Sequence, residues 1–236
     1  LLRFCRGCGR PILRECVYDP ALGYSDFSIR ASMDSFEPPL GHLMMHAPQD
    51  DLVAIIVTFH PDIDVLKHLV GAVSPQVLRV LVVDNGSTAG FLECLDGQPN
   101  VECIALGNNM GIAAAQNRGI DRARSLGANY VVLFDQDSNP DSTLLPTLYS
   151  SLRKLQHEGQ RVACVGPRYF DARQSQSAPF IRIEGCRLVR VHCRDASEIV
   201  PVDHLIASGC MIPLSTIDEV GGMEEGAKKA KELAAG

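Results

Sequence analysis

Asp135 and Asp137 stand one residue apart, on either side of Gln136, at the end of the apolar run Tyr130-Val-Val-Leu-Phe134 and just before Ser-Asn-Pro. Alternate side chains of an extended chain point the same way, so the two carboxylates converge on one spot where neighbours would diverge. Two hard oxygen donors where the chain leaves a buried strand suit a divalent cation, Mg²⁺ or Mn²⁺, and the cation in turn suits a diphosphate. The plainer reading is a turn, because an Asp just past a strand commonly forms an Asx turn or caps the next helix. The residues that accompany the pair weigh against that reading.

Those residues sit on elements with a recurring pattern. Leu52-Val-Ala-Ile-Ile-Val-Thr58 is a continuous apolar run of the kind buried on both faces of a parallel sheet. His60-Pro-Asp-Ile-Asp supplies turn and capping residues, and Val65, Leu66, Leu69 and Val70 mark the apolar face of a helix before Gly71. Leu78–Asp84 is a second buried strand stopped by Asn85-Gly86-Ser87, and Val101–Leu106 a third. Strands alternating with helices predict βαβ units, a parallel sheet and right-handed crossovers. Ligands of such sheets bind beyond the carboxyl ends of the strands, where Thr58, Asp84 and Asp135 all fall.

Between the third strand and the acidic pair, Gly111 opens a helix on which Ile112, Ala115, Gly119, Ile120, Ala123 and Leu126 recur at helical spacing. Asn117, Asp121 and Arg124 occupy another face, from which Asn117 would reach the cleft at the strand ends. Taken alone, this is a small-residue helix packed closely on a sheet. Residues 141 to 155 form an amphipathic helix through Leu144, Leu145, Leu148 and Leu152, with Pro146 in its first turn. A short strand follows at Arg161–Pro167. Residues 168 to 201 are patchy, with Ile181–Ile183 and Leu188–His192 as candidate strands of an excursion at the cleft rim. His204–Pro213 returns to a buried strand or turn, and Ser215–Gly222 to a short helix with a glycine stop. His192 and His204 have no spaced partners and are expected to be ordinary surface or core histidines.

The 236 residues are 46% hydrophobic, enough for a proper core, and the net charge of −6 with dispersed basic residues argues against a nucleic-acid partner. No apolar run approaches the roughly 20 residues that span a bilayer, and the start lacks a signal-peptide pattern, so a cytoplasmic location is expected. Peripheral association with the inner face of the plasma membrane stays open. Nine cysteines form an odd, irregular set, and those from Cys94 onward are expected to be reduced and mostly buried. Residues 1 to 50 have no sustained period and are expected to be a loosely structured arm. Within the arm, Cys5 and Cys8 make half of a zinc knuckle that only Cys16 with His42 or His46, at arbitrary spacing, could complete.

In sequence order, Val57-Thr58-Phe59, Val82-Val83-Asp84-Asn85-Gly86-Ser87, Asn109 to Gly119, Asp135-Gln136-Asp137-Ser138, Ser208–Pro213 and Gly221-Gly222-Met223 resemble the family 2 inverting glycosyltransferases. More narrowly they resemble bacterial rhamnosyltransferases of O-antigen and related polysaccharide biosynthesis. The resemblance covers residues 52 to 225 and implies the GT-A fold, an α/β, Rossmann-like, mostly parallel sheet flanked by helices. It implies domain bounds of 51–225 for the nucleotide-sugar-binding domain, its acceptor part incomplete, and 226–236 for an Ala/Lys-rich tail. By the same resemblance Thr58, Phe59, Asp84 and Asn85 hold the nucleoside. Asn109, Gly111, Asn117 and Gln136 line the nucleotide and donor sugar, and Asp135 and Asp137 hold the Mg²⁺ or Mn²⁺. The implied partners are a nucleotide-sugar donor, dTDP-L-rhamnose, and a glycan or lipid-linked glycan acceptor.

Inversion needs a base opposite the leaving group. Relatives carry it on an apolar, acidic strand after the Gly-Gly-Met-x-Glu segment, whereas here Glu224-Glu225 runs into an Ala/Lys-rich stretch, which suggests a truncated or altered chain. Glu224 and Glu225 are the substitute candidates, and Asp218 and Glu219 are expected to be surface residues. Two alternatives follow: a remnant that binds the donor without turning it over, and a sugar-phosphate nucleotidyltransferase. The second would carry a glycine-rich basic loop where this chain has Phe59-His60-Pro61-Asp62.

Overall fold

The computed structural model describes residues 16–19, 50–88, 92–95, 97–168, 170–171, 176–177, 179–184, 187–193 and 198–225. In chain order the strands are β1 (Cys16–Asp19), β2 (Leu52–Thr58), β3 (Arg79–Asp84), β4 (Val101–Ala105), β5 (Tyr130–Asp135), β6 (Cys164–Pro167), β7 (Phe170–Asp171), β8 (Gln176–Ser177), β9 (Phe180–Glu184), β10 (Arg187–Val191), β11 (Val200–Val202) and β12 (Cys210–Pro213). The α-helices are α1 (Ile63–Val73), α2 (Ile112–Ser125), α3 (Leu144–His157) and α4 (Leu214–Val220).

The continuous apolar runs fold as a two-sided sheet demands. Along β2, Leu52, Ala54 and Ile56 enter one core layer while Val53 and Ile55 enter the other; β3 and β5 divide in the same way. The first layer is closed by α1 and α3, through Leu66, Leu69, Val70 and Val73 and through Leu144, Leu145, Leu148 and Leu152. The second is closed by α2 and α4, through Ala115, Ile120, Ala123, Leu214 and Ile217. Gly119 is required here: a Cβ at this position would lie 2.6 Å from Ile55 Cγ2, so only glycine lets α2 sit this low on β2.

The central sheet has the order β11-β1-β6-β12-β5-β2-β3-β4. β1 to β6 run in one direction, with β11 and β12 reversed, so the mostly parallel α/β architecture expected from the sequence is present. β9 and β10 form a separate antiparallel hairpin, as do the two-residue strands β7 and β8.

Several expectations need correction. Cys16–Asp19, placed in the loosely structured arm, is a sheet strand paired with β6 on one side and β11 on the other. A four-residue strand carries too little pattern to be read, and both its partners lie far along the chain. Val65 and Ile112, assigned to helix faces, are exposed at 41% and 53%; Val73 takes the buried place on α1. α3 begins at Leu144 rather than Asp141, because Asp141 Oδ1 accepts from Thr143 N and Thr143 Oγ1 in a turn before the helix. The strand at 161–167 is limited to β6, and the strand at 204–213 to β12.

Of the cysteines whose side chains are described, Cys164 and Cys210 are buried and Cys103 and Cys193 half-buried, none of them in a disulfide. Cys5, Cys8, His42 and His46 lie outside the described residues, as does the 226–236 stretch, and Cys16 is described through its backbone alone. Among the described residues, no helix is long and apolar enough to cross a membrane.

Candidate functional site

The parallel register of β3, β2 and β5 builds the site. Thr58 pairs with Asp84 across β2 and β3, and Val57 pairs with Asp135 across β2 and β5, so the carboxyl ends of all three strands finish together. Thr58 and Asp84 share the alternation of the α1/α3 layer, while Asp135 follows Val131 and Leu133 on the α2/α4 side.

Asp84 is 5% exposed, and its carboxylate organises the loop that follows. It accepts from Ser87 N at 3.0 and 3.2 Å, from Ser87 Oγ, and from Thr58 Oγ1 at 3.4 Å. Ser87 Oγ also accepts from His60 N at 2.8 Å, which ties the loop after β2 to the loop after β3. Ser87 therefore belongs to the site, although the sequence reading assigned it no role. Its signal was the Asp-x-x-Ser spacing of a side-chain-closed turn.

A second tie joins the loops after β3 and β4. Asn85 Nδ2 donates to Asn109 Oδ1 at 3.2 Å, and Asn85 Oδ1 accepts from Met110 N at 2.8 Å. Asn109 Oδ1 accepts in turn from Gly111 N at 3.1 Å, at the start of α2. Gly86 makes this approach possible: its φ is +90°, and a Cβ there would lie 2.6 Å from the Asn108 carbonyl carbon. The third tie is reciprocal, with Phe59 N donating to Gln136 Oε1 at 2.8 Å and Gln136 Nε2 to Phe59 O at 3.3 Å. Gln136 thus fixes the loop after β2 to the acidic motif, leaving the Phe59 ring exposed and edge-on to His60.

Unlike Asp84, Asp135 and Asp137 meet no cation or hydrogen-bond donor through their carboxylates among the described residues. The Asp135 carboxyl is held above its ordinary range, first by partial burial and then by the charge of Asp137, although the residue as a whole is solvent-accessible. Ser138 and Ser208 are joined through their hydroxyls, linking this motif to the turn that leads into β12. No cluster of three or more His, Cys, Asp or Glu suited to a metal occurs among the described residues. A pair of carboxylates nevertheless fits Mg²⁺ or Mn²⁺, since Mg²⁺ takes one or two of them and completes its shell with water and phosphate oxygens.

Asn117 bonds to the segment after α4. Its Oδ1 accepts from Met223 N at 2.7 Å, and its Nδ2 donates to Met223 O at 2.9 Å and to Glu225 Oε1 at 2.8 Å. It clasps the segment after α4, where a Cβ on Gly222 would lie 2.7 Å from Asn117 Oδ1. Met223 in turn closes a cavity of about 280 Å³ on the α2/α4 side, lined also by Leu133, Cys164, Leu205, Cys210 and Ile212, with Gln116, Asp203 and His204 as its polar members. Asp135 is two residues on from Leu133, on the same side of β5. Glu224 and Glu225 are exposed, and Asp218 and Glu219 pair with Arg124 and Arg161, as surface residues do.

A larger, polar pocket of about 600 Å³ lies at the opposite end of the sheet, lined by Asp51, Asn129, Tyr130, Tyr149, Arg153 and Asp218 among others. It is remote from the carboxyl ends of the strands, where Asp84, Asp135 and Asp137 lie.

Residues 54–206 match the sequence profile described as Glycosyl transferase family 2. The chain is 30% identical over 177 residues to the dTDP-rhamnosyl transferase RfbF of Shigella flexneri, covering 74% of this chain and 58% of that protein. It is 28% identical over 104 residues to the cholesterol galactosyltransferase of Borreliella burgdorferi, covering 42% of this chain and 28% of that one. The chain thus spans little more than half of the longer match. A crystal structure of S. aureus TarS 1-349 superposes with a TM-score of 0.47 at 13% identity, covering 74% of this chain and 50% of that one.

Proposed function

The chain belongs to glycosyl transferase family 2, and from that premise we propose that it transfers a sugar from a nucleotide-sugar donor to a glycan or lipid-linked glycan acceptor, with inversion. The observation that carries this reading is the carboxylate pair Asp135 and Asp137, without a cationic or hydrogen-bonding partner among the described residues, at the carboxyl edge of a parallel sheet. The similarity to a dTDP-rhamnosyl transferase supports dTDP-L-rhamnose as the donor.

In this reading the nucleoside lies against the loops that Asp84, Ser87, Asn85 and Asn109 hold in place, with the exposed Phe59 ring available for stacking on the base. Asp135 and Asp137 would hold Mg²⁺ or Mn²⁺ on the diphosphate, where the cation offsets charge developing on the leaving oxygen. The neighbouring cavity on the α2/α4 side takes the acceptor sugar. Glu224 and Glu225 follow Met223, a residue of the cavity wall, in the chain, and Asn117 donates to Glu225. One of them would draw the proton from the acceptor hydroxyl.

The test is calorimetric titration of dTDP and dTDP-rhamnose with Mn²⁺ into the wild type and Asp135→Ala/Asp137→Ala, beside a transfer assay with radiolabelled donor. The expected result is metal-dependent binding that the double substitution removes. Binding that needs no metal and survives the substitution would sink the assignment. Glu225→Gln and Glu224→Gln, assayed separately, identify the base as the one whose loss abolishes transfer while donor binding persists.

A further inference from the structure

α2 sets a polar side chain among the apolar residues of its layer. Gln116 is 9% exposed and lies with Leu133, Cys164, Cys210 and Ile212 of the sheet around the cavity of about 280 Å³. Buried amides ordinarily find protein partners, as Gln76 does: its Nε2 donates to Ala72 O at 2.7 Å and its Oε1 accepts from Leu145 N at 3.2 Å. The Gln116 side chain makes no hydrogen bond among the described residues. Nor is it sealed in protein. Among the described residues the enclosed side-chain atoms without a partner are Asp51 Oδ1 and Arg79 Nε, so the Gln116 amide opens on the cavity that it lines.

The rest of the cavity indicates what the amide meets. Cys210 and Leu133 pair across β12 and β5, and Cys164 and Ile212 extend the same apolar surface. Asp203 and His204 are the other polar members, and Asp203 Oδ2 accepts from Ile183 N at 2.7 Å, which holds that carboxylate in place. Among the described residues no Lys or Arg lines the cavity, so a diphosphate is not its ligand. An apolar surface with a few fixed polar groups suits a molecule that is apolar on one face and hydroxylated at its edge, which describes a pyranose ring. The volume falls just below the roughly 300–1,000 Å³ of pockets for drug-sized ligands, so it suits one ring rather than a chain. An amide donates and accepts at once, as a ring hydroxyl does.

We propose that Gln116 is a specificity-determining residue, whose amide bonds a ring hydroxyl of the single acceptor sugar held in this cavity; this rests on the acceptor reading given above. Two consecutive amides of α2 then divide the work. Asn117 clasps the wall residue Met223 through its backbone N and O, and Gln116 reads the ligand. A site built to bond a hydroxyl rejects the analogue that lacks it, because the buried amide then loses its partner.

The test uses the full chain with dTDP and Mn²⁺ and four probes: the methyl pyranosides of rhamnose, glucose, galactose and N-acetylglucosamine, with monodeoxy analogues of whichever binds. At least one glycoside should shift the side-chain amide resonances of Gln116 in the wild type, a readout that does not depend on a variant folding. Gln116→Met keeps the length and removes both polar atoms. It should weaken that glycoside by about tenfold to a hundredfold, leave dTDP affinity unchanged, and bind the glycoside and one monodeoxy analogue alike where the wild type separates them. Its Tm should rise, because an apolar side chain now stands in an apolar layer; a merely structural amide would show the reverse. Gln116 resonances that no glycoside moves, or a Gln116→Met protein that binds and discriminates as the wild type does, would overturn the proposal. A wild type that binds a glycoside through Gln116 and transfers no sugar to it would keep this site and overturn the transfer reading instead.

Discussion

The two ends of the central sheet carry similar residue types and opposite electrostatics. At the amino-terminal end, the larger pocket brings together acids, arginines and tyrosines that answer one another. Asn129 donates to Asp51 at 3.1 Å, Arg153 to Tyr130 Oη at 3.2 Å, Tyr130 Oη to Gln156 at 3.1 Å, and Arg124 to Asp218 at 2.6 Å. Burial, followed by the nearby Asp51, pushes the Tyr149 phenol far above its usual range, which keeps that ring neutral. One oxygen there, Asp51 Oδ1, is buried without a hydrogen bond. At the carboxyl-terminal end the pocket is smaller, yet among the described residues Asp135 and Asp137 have only each other. Pocket size and chemical demand therefore point to different ends. Unanswered charge is the better guide, because two neighbouring carboxylates without a cation draw one in, whereas the charges of the other end are largely paired with each other.

The contrast breaks most directly at the metal pair. Asp135→Ala/Asp137→Ala should lower transfer by about a thousandfold, the loss expected when a cation worth several kcal/mol at the transition state goes. Arg153→Ala, at the other end, should leave donor affinity and transfer unchanged, as a kcat/KM comparison of the two variants would reveal. Equal losses in both would mean that the two ends are not functionally distinct.

Gly86→Ala probes how much the carboxyl end depends on its backbone. The substitution strains a positive φ and collides with the Asn108 backbone, so it should cost about 1–3 kcal/mol in urea unfolding and weaken dTDP binding along with stability. Asn117→Ala should be milder, because its partners can turn to water. About 1–2 kcal/mol of local stability should be lost, read as faster amide exchange at Met223, with dTDP affinity retained. A large fall in dTDP affinity would instead return Asn117 to the donor site.

The smallest effect is the pH dependence of Asp135→Asn without divalent ions. A carboxyl whose folded-state pKa is raised stabilises the fold while protonated, and that contribution is lost as pH rises through the raised value. Asp135→Asn should therefore raise Tm slightly at neutral pH, and the gain should vanish below the ordinary carboxylate range. Added Mn²⁺ should reverse the order, stabilising the wild type alone.

Much of this was legible beforehand because it is local. Leu52–Thr58 and Tyr130–Asp135 announce strands buried on both faces by running apolar up to their last residue, and Thr58, Asp84 and Asp135 mark where the strands end. The roles of Gln136 and Asn117 were not legible. Each amide makes its bonds with a segment distant in sequence, Gln136 with Phe59 and Asn117 with Met223 and Glu225, and no spacing rule foretells such partners. The same holds for Cys16–Asp19, whose place between β6 and β11 depends on strands that come much later.

By itself, then, the sequence determined that a parallel sheet would form and that its carboxyl edge would carry Asp84, Asp135 and Asp137, because apolar period and strand ends are properties of neighbouring residues. Tertiary structure alone decided that Asp84 would be consumed by its own loop while Asp135 and Asp137 would meet no counter-charge among the described residues. That outcome depends on which distant donors and cations the packed chain delivers to each carboxylate, and only the assembled sheet, with its helices in place, fixes those positions.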